Sequence, residues 1–201
     1  MDINITSAWD LLKSKIQDCR KCELCKERNN VVVGSGPVEN CRCVIIGEAP
    51  GEDEDRQGKP FVGAAGQLLT KILWNGGGIN RNSLYITNAV KCRPPGNATP
   101  QNEHLIACND FLEAQLLLLQ PSVIVTLGNV PTQWLLKTKT GITALRGKWL
   151  KWRGLDLLPM FHPSYLLRQS GKVEKELKKL TWDDVKSLRL KLEELNKLRS
   201  E

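Results

Sequence analysis

Five acidic residues, Glu48, Glu52, Asp53, Glu54 and Asp55, fall within eight positions directly after the apolar run at 43–47, in a chain whose net charge is +7. Carboxylates this close repel one another unless they hold a proton, a water, a cation or backbone amides, so the stretch reads as a working loop. Gly47, Pro50, Gly51, Gly58, Pro60 and Gly63 predict a long irregular segment, and a helical pattern resumes with Leu68, Leu69, Ile72 and Leu73. Strand, loop and helix in that order place active sites beyond the carboxyl ends of parallel strands.

A second group of residues suggests metal chemistry. The chain has seven cysteines, an odd number and not a disulfide framework for a reducing compartment. Cys19, Cys22 and Cys25 form C-x2-C-x2-C, and Cys92 and Cys108 form a second pair with fifteen residues between them. Four thiolates from two distant stretches can hold zinc or an iron-sulfur cluster. The wide second pair favours the cluster, while spacing leaves open whether Cys19 with Cys22 or Cys22 with Cys25 forms the first pair. Cys43, at the start of an apolar run, reads as a small buried hydrophobe.

The elements that must position these residues are legible from hydrophobic patterning. Four apolar runs, at 43–47, 84–88, 123–127 and 157–161, alternate with helical patterns at 66–74, 103–119 and 129–137, after a short helix at 7–17. Alternation of this kind predicts an α/β fold: a single-domain, three-layer α/β/α architecture with a four-stranded, mainly parallel central sheet. Val185, Leu188, Leu192 and Leu195 mark one apolar stripe on a C-terminal helix at 182–199, expected to pack on the body of the domain.

Length, with 41% hydrophobic and 25% charged residues, fits one ordinary globular domain spanning 1–201. No apolar run approaches the ~20 residues of a membrane span, and residues 1–17 are polar and unlike a signal peptide, so a cytoplasmic protein with no membrane partner is expected. Lys137, Lys139, Arg146, Lys148, Lys151 and Arg153 follow one another with no acid between them, and Trp149 and Trp152 sit among the last. Such a stretch suits a phosphate-contacting surface, and nucleic acid is the expected partner. Gly34-x-Gly36 is a weak phosphate signal, lacking a third glycine and a strand-to-helix setting.

Three motifs taken together, GEAPGEDEDRQGKPFVGAAG at 47–66, TNAVKCRPP at 87–95 and HPSYLLR at 162–168, resemble those of family 4 uracil-DNA glycosylases, the iron-sulfur members of the uracil glycosylase superfamily. The resemblance runs from about residue 19 to residue 168. It implies a DNA-repair hydrolase of base excision, which flips uracil out of DNA and cleaves its N-glycosidic bond to leave an abasic site. It also implies a 4Fe-4S cluster on Cys19, Cys22, Cys92 and Cys108, in a subsite at 19–25 and 92–108, with Cys25 spare. Phe61 matches the residue that stacks on the base, and Asn88 the one that reads its edge. His162 matches the donor that stabilises the departing uracil anion. Leu166 or Leu167 would enter the gap left by the flipped nucleotide, with Arg168 near a phosphate. Arg146 and Lys148, from the basic stretch, are the further DNA contacts expected on charge alone.

Where the best-known branch of the superfamily has an Asp to orient water and a Tyr to block thymine, this chain has Ala49 and Gly51. Glu48 is therefore expected to position water or the sugar's charge, and Glu54 to guard the C5 face. The implied partners are uracil-containing DNA, single- or double-stranded, and replication or repair proteins, with the enzyme a monomer. Two other readings use the same residues: an iron-sulfur redox or electron-transfer protein, which leaves Asn88 and His162 without work, and a nucleic-acid-binding relative that has lost catalysis.

Overall fold

The expected strands form where apolar residues run without interruption. In the computed structural model, which describes residues 5–198, β1 (Cys43–Gly47), β2 (Tyr85–Asn88) and β3 (Val123–Leu127) are buried along their whole length. Residues 1–4 of the polar opening stretch and residue 199 of the expected C-terminal helix lie outside the described residues. Two further strands, β4 (Leu150–Trp152) and β5 (Leu155–Met160), complete a sheet of order β2-β1-β3-β5-β4. The first four in that order run parallel, with Gly47 beside Asn88 and Thr126 beside Pro159.

The sheet therefore has five strands and not the expected four. The extra one, β4, is antiparallel to β5 and closes a hairpin through Arg153 and Gly154, both at positive φ as a tight two-residue turn requires. Three half-exposed residues in a basic stretch carry too little apolar signal to announce a strand.

Side chains alternate across the sheet, as the two-residue strand period dictates. Val44, Ile46, Ile124 and Leu157 face one core, and Cys43, Ile45, Val125 and Leu158 face the other. The first is covered by α1 (Ile5–Gln17), α4 (Asn102–Leu119) and α5 (Asn129–Leu136), through Trp9, Leu112, Leu116 and Leu135. The second is covered by α3 (Ala64–Gly77) and α8 (Gly171–Lys197), through Leu69, Leu73, Val185 and Leu188. Three short helices, α2 (Glu52–Gln57), α6 (Ile142–Leu145) and α7 (Pro163–Leu167), lie in the connections. The C-terminal helix carries the expected stripe but begins at Gly171, because its first turns are too polar to reveal it.

Two expectations change here. Arg146 is committed to α8: its guanidinium forms a salt bridge with the buried Asp184 and donates to the Leu180 carbonyl at 2.8 Å. Lys151 and Arg153 likewise pair with Asp156 and Glu113, while Lys139 and Lys148 stay exposed. Gly34 and Gly36 serve packing: a Cβ at Gly36 would stand 2.2 Å from the Leu84 carbonyl oxygen, where Ser35 pairs with Ile86 along β2.

Candidate active site and cysteine centre

From β1 the chain goes to β2 on one side and then to β3 on the other, and such a switch point opens a crevice at the carboxyl ends of the strands. An open cleft lies there, lined by Glu48, Phe61, Asn88, Gly128 and His162. Asn88 ends β2 and is 1% exposed, yet its Oδ1 has no hydrogen-bond partner. A buried acceptor without a donor is costly unless a ligand supplies one. The Phe61 ring stands beside it, and Gly47 is what lets the two meet: a Cβ there would lie 2.3 Å from Asn88 Oδ1 and 2.6 Å from Phe61 Cζ.

His162 follows β5 and caps α7. Its ring centroid is 5.8 Å from that of Phe61. Nδ1 accepts from the Ser164 amide at 3.1 Å and meets Ser164 Oγ at 2.7 Å, so in the neutral ring the proton sits on Nε2. Burial, with Arg168 second, lowers the pKa of His162 to about 4. The site thus offers a neutral imidazole with a fixed tautomer. Glu48, on the same wall, has its pKa raised by burial, against the opposing pulls of a Thr99 hydrogen bond and the Arg168 charge.

The acidic stretch is more ordered than its glycines and prolines predict. Four of its carboxylates form the first turn of α2, where the helix dipole favours them, behind Gly51 as N-cap. Each has separate work. Asp55 is buried and accepts from the Asn29 and Asn30 amides at 3.0 and 3.1 Å, tying α2 to the segment after the first cysteines. Glu52 and Asp53 pair with Arg93 and Arg56. Glu54 accepts from the amides of Gly51, Val62 and Gly63 at 3.1, 2.8 and 2.9 Å.

Phe61 has φ +52, an uncommon conformation for a bulky residue that surrounding contacts must impose. Arg81, in the turn before β2, imposes it from the other side of the loop, donating to the carbonyls of Phe61 and Pro60 at 2.6 and 2.7 Å and to Thr70 Oγ1 at 3.0 Å. Nothing in the sequence around Arg81 signalled this. Small misplacements in a site can cost on the order of 10²-fold in rate, and Arg81→Met is expected to slow turnover by roughly that factor. A double variant with Phe61→Ala should be no slower than Phe61→Ala alone, and single-turnover rates would show an additive loss if Arg81 acted elsewhere.

The cysteines assemble around a small cavity that shares no lining residue with the cleft. Cys19, Cys22, Cys25, Cys92 and Cys108 all line it. Burial raises the pKa of Cys22, Cys92 and Cys108. Thiolates there need counter-charge, and two basic groups stand beside them: Arg28, whose Nη1 donates to Cys92 Sγ at 3.1 Å, and Lys91, whose pKa burial lowers to about 7 against the raising effect of the Cys108 and Cys92 charges. Sulfur donors converging from two segments beside two basic groups suit an anionic, thiolate-held metal group. Cys43 is buried in β1, as expected of a hydrophobe. His104, one of two histidines, caps α4 by accepting the Gln101 amide.

On the rim, α7 separates the two leucine candidates. Leu166 is 2% exposed and belongs to the core, whereas Leu167 is 50% exposed. Arg168 follows it, lining the cleft with its side chain beside Ser164.

The cleft at the switch point of this mostly parallel sheet thus holds the Phe61 ring, the Asn88 carboxamide and a neutral His162, and the family model of the uracil DNA glycosylase superfamily matches residues 33–186. The chain is 43% identical over 178 residues to the type-4 uracil-DNA glycosylase of Thermotoga maritima, covering 88% of this chain and 90% of that one. It is 37% identical over 186 residues to the type-4 enzyme of Sulfurisphaera tokodaii, covering 89% and 82%. For that of Archaeoglobus fulgidus the identity is 41% over 166 residues, covering 79% and 82%. Within the superfamily, the chain belongs to the type-4 uracil-DNA glycosylases.

Proposed function

We propose that this protein removes uracil from DNA in base-excision repair, hydrolysing the N-glycosidic bond and leaving an abasic site. The observation that carries the reading is the unpartnered, buried Oδ1 of Asn88 beside the Phe61 ring. Uracil presents N3-H to such an acceptor and O4 to the neighbouring amide, whereas cytosine presents a lone pair at N3 and a donor at position 4. The flipped base stacks on Phe61, and His162 directs Nε2-H at O2, where charge develops as the bond breaks. Glu48 positions the attacking water or balances the positive sugar. Ala49 and Gly51 line the same wall.

Leu167 fills the gap in the stack, with Arg168 and the exposed Lys148 toward phosphates. The substrate is uracil-containing DNA, single- or double-stranded. Among the described residues no helix is long and apolar enough to cross a membrane. We read residues 1–201 as one glycosylase domain working as a cytoplasmic monomer, with replication or repair proteins as further partners.

Glu54 excludes thymine indirectly, by fixing Gly51 and Gly63 so that the wall facing C5 stays narrow. Glu54→Ala is expected to slow uracil release and to raise the ratio of thymine to uracil released from T:G and U:G duplexes. An unchanged ratio would confine the residue to loop structure.

Cys19, Cys22, Cys92 and Cys108 would hold a 4Fe-4S cluster, with Cys25 beside it. Bound there, the cluster would staple the segment before β1 to β2 and α4, a structural role, since the hydrolysis transfers no electron. Two assays test the whole reading. Purified protein should release free uracil, and no thymine, from single-stranded and duplex oligonucleotides, and it should carry about four iron atoms per chain. Stoichiometric zinc without visible absorption would overturn the cluster, and intact uracil-containing DNA would overturn the activity.

A further inference from the structure

Lys91 stands between the cleft and the cysteines. It follows Asn88 by three residues, directly precedes Cys92, and is 1% exposed. Its ammonium donates to the Asn88 main-chain carbonyl at 2.7 Å and to Thr87 Oγ1 at 2.8 Å, so it grips the last two residues of β2. The same residue lines the cysteine cavity, and its main-chain amide donates toward the Cys108 sulfur. Both oxygens that hold the ammonium are neutral. A buried ammonium held by neutral groups alone is strongly disfavoured. Burial lowers the Lys91 pKa to about 7, and the groups placed to hold its charge are the thiolates of Cys108 and Cys92, which raise it. A methionine would fill the same space without that requirement.

We propose that Lys91 is a positioning residue that couples the cysteine centre to the uracil pocket, fixing the carbonyl end of β2, and with it Asn88, through a charge balanced by the thiolates behind it. The inference rests on the reading of the cysteines given above. Its consequence is reciprocal: the charge of the centre alters the hold on Asn88, and uracil bound at Asn88 alters the energy of adding charge to the centre. Lys91 touches no reacting atom.

The test compares holoprotein with Lys91→Met holoprotein for iron per chain, dissociation constant of free uracil, and reduction potential of the centre with and without saturating uracil. The variant is expected to keep its iron, to bind uracil roughly 10-fold more weakly, within the usual range of coupling between sites, and to show a more negative potential because a neighbouring positive charge is gone. Uracil should shift the potential of the native protein and leave that of the variant unmoved. Native uracil affinity in an iron-replete variant would overturn the proposal. Should the variant fail to assemble, the native protein decides alone: a potential shifted by uracil supports the coupling, and an indifferent one overturns it. Native protein without iron would overturn the reading of the cysteines, and the coupling with it; iron present with an indifferent potential overturns the coupling only.

Discussion

Asn88→Asp is expected to reverse the base preference of the pocket, lowering the ratio of uracil to cytosine excision by on the order of 10⁴-fold. Sites that read a base by hydrogen bonds discriminate on that scale, because a mismatched partner leaves buried groups unpaired. The carboxamide offers one acceptor and one donor at the carboxyl end of β2, and the acceptor has no other partner. An ionised aspartate presents two acceptors, one of which faces the O4 of uracil and repels it. A protonated aspartate presents an acceptor for the amino group of cytosine and a donor for its N3. Uracil release should therefore fall where the carboxyl is ionised and recover in part as the pH is lowered, because a protonated carboxyl can also turn its O–H toward O4, and cytosine release should rise over the same range. Single-turnover assays on oligonucleotides containing one uracil or one cytosine measure both. Unchanged uracil release would remove Asn88 from the pocket.

How much of this was readable from the sequence depended on whether the deciding contact was local. The parallel strands are continuous apolar runs closed by turn residues, and they appear within a residue or two of where the pattern put them. Asn88 and His162 were legible because each ends such a run, where the fold class puts active sites. The helix α2 was missed: Gly51 has no side chain to complete a capping box with Glu54, which accepts the Gly51 amide, and the density of glycine and proline outweighed the acids of the first turn. Contacts between distant residues left no trace. Arg146 read as a phosphate contact because its partner, Asp184, is thirty-eight residues away. Arg81 and Lys91 drew no assignment from the sequence, and only the fold brings them to the Phe61 loop and to the floor beneath Asn88. The two leucines of α7 are adjacent in sequence and opposite in burial, a distinction set by the helix's docking on α3 and α8.

His162→Ala is expected to slow the chemical step by roughly 10²- to 10³-fold, the usual effect of losing one donor to a developing anion, with DNA affinity close to native. The structure makes the donor specific. Ser164 occupies Nδ1, so the neutral ring can donate only through Nε2. Burial and the Arg168 charge bring the pKa to about 4, so the ring is neutral throughout the physiological range and delivers no proton to the leaving base. The chemical step should therefore show no inflection near pH 6.5, where an ordinary histidine titrates. Stability carries the complementary signature. A histidine with pKa about 4 in the folded state and 6.5 in the unfolded state lets the unfolded chain bind the extra proton between those values. By linkage this residue destabilises the fold progressively as the pH falls from 6.5 toward 4, and it has no such effect above 6.5. Urea midpoints measured across that window should fall more steeply for the native protein than for His162→Ala. A rate inflection near 6.5, or a variant that loses its iron or unfolds at neutral pH, would move His162 from transition-state stabilisation to structure.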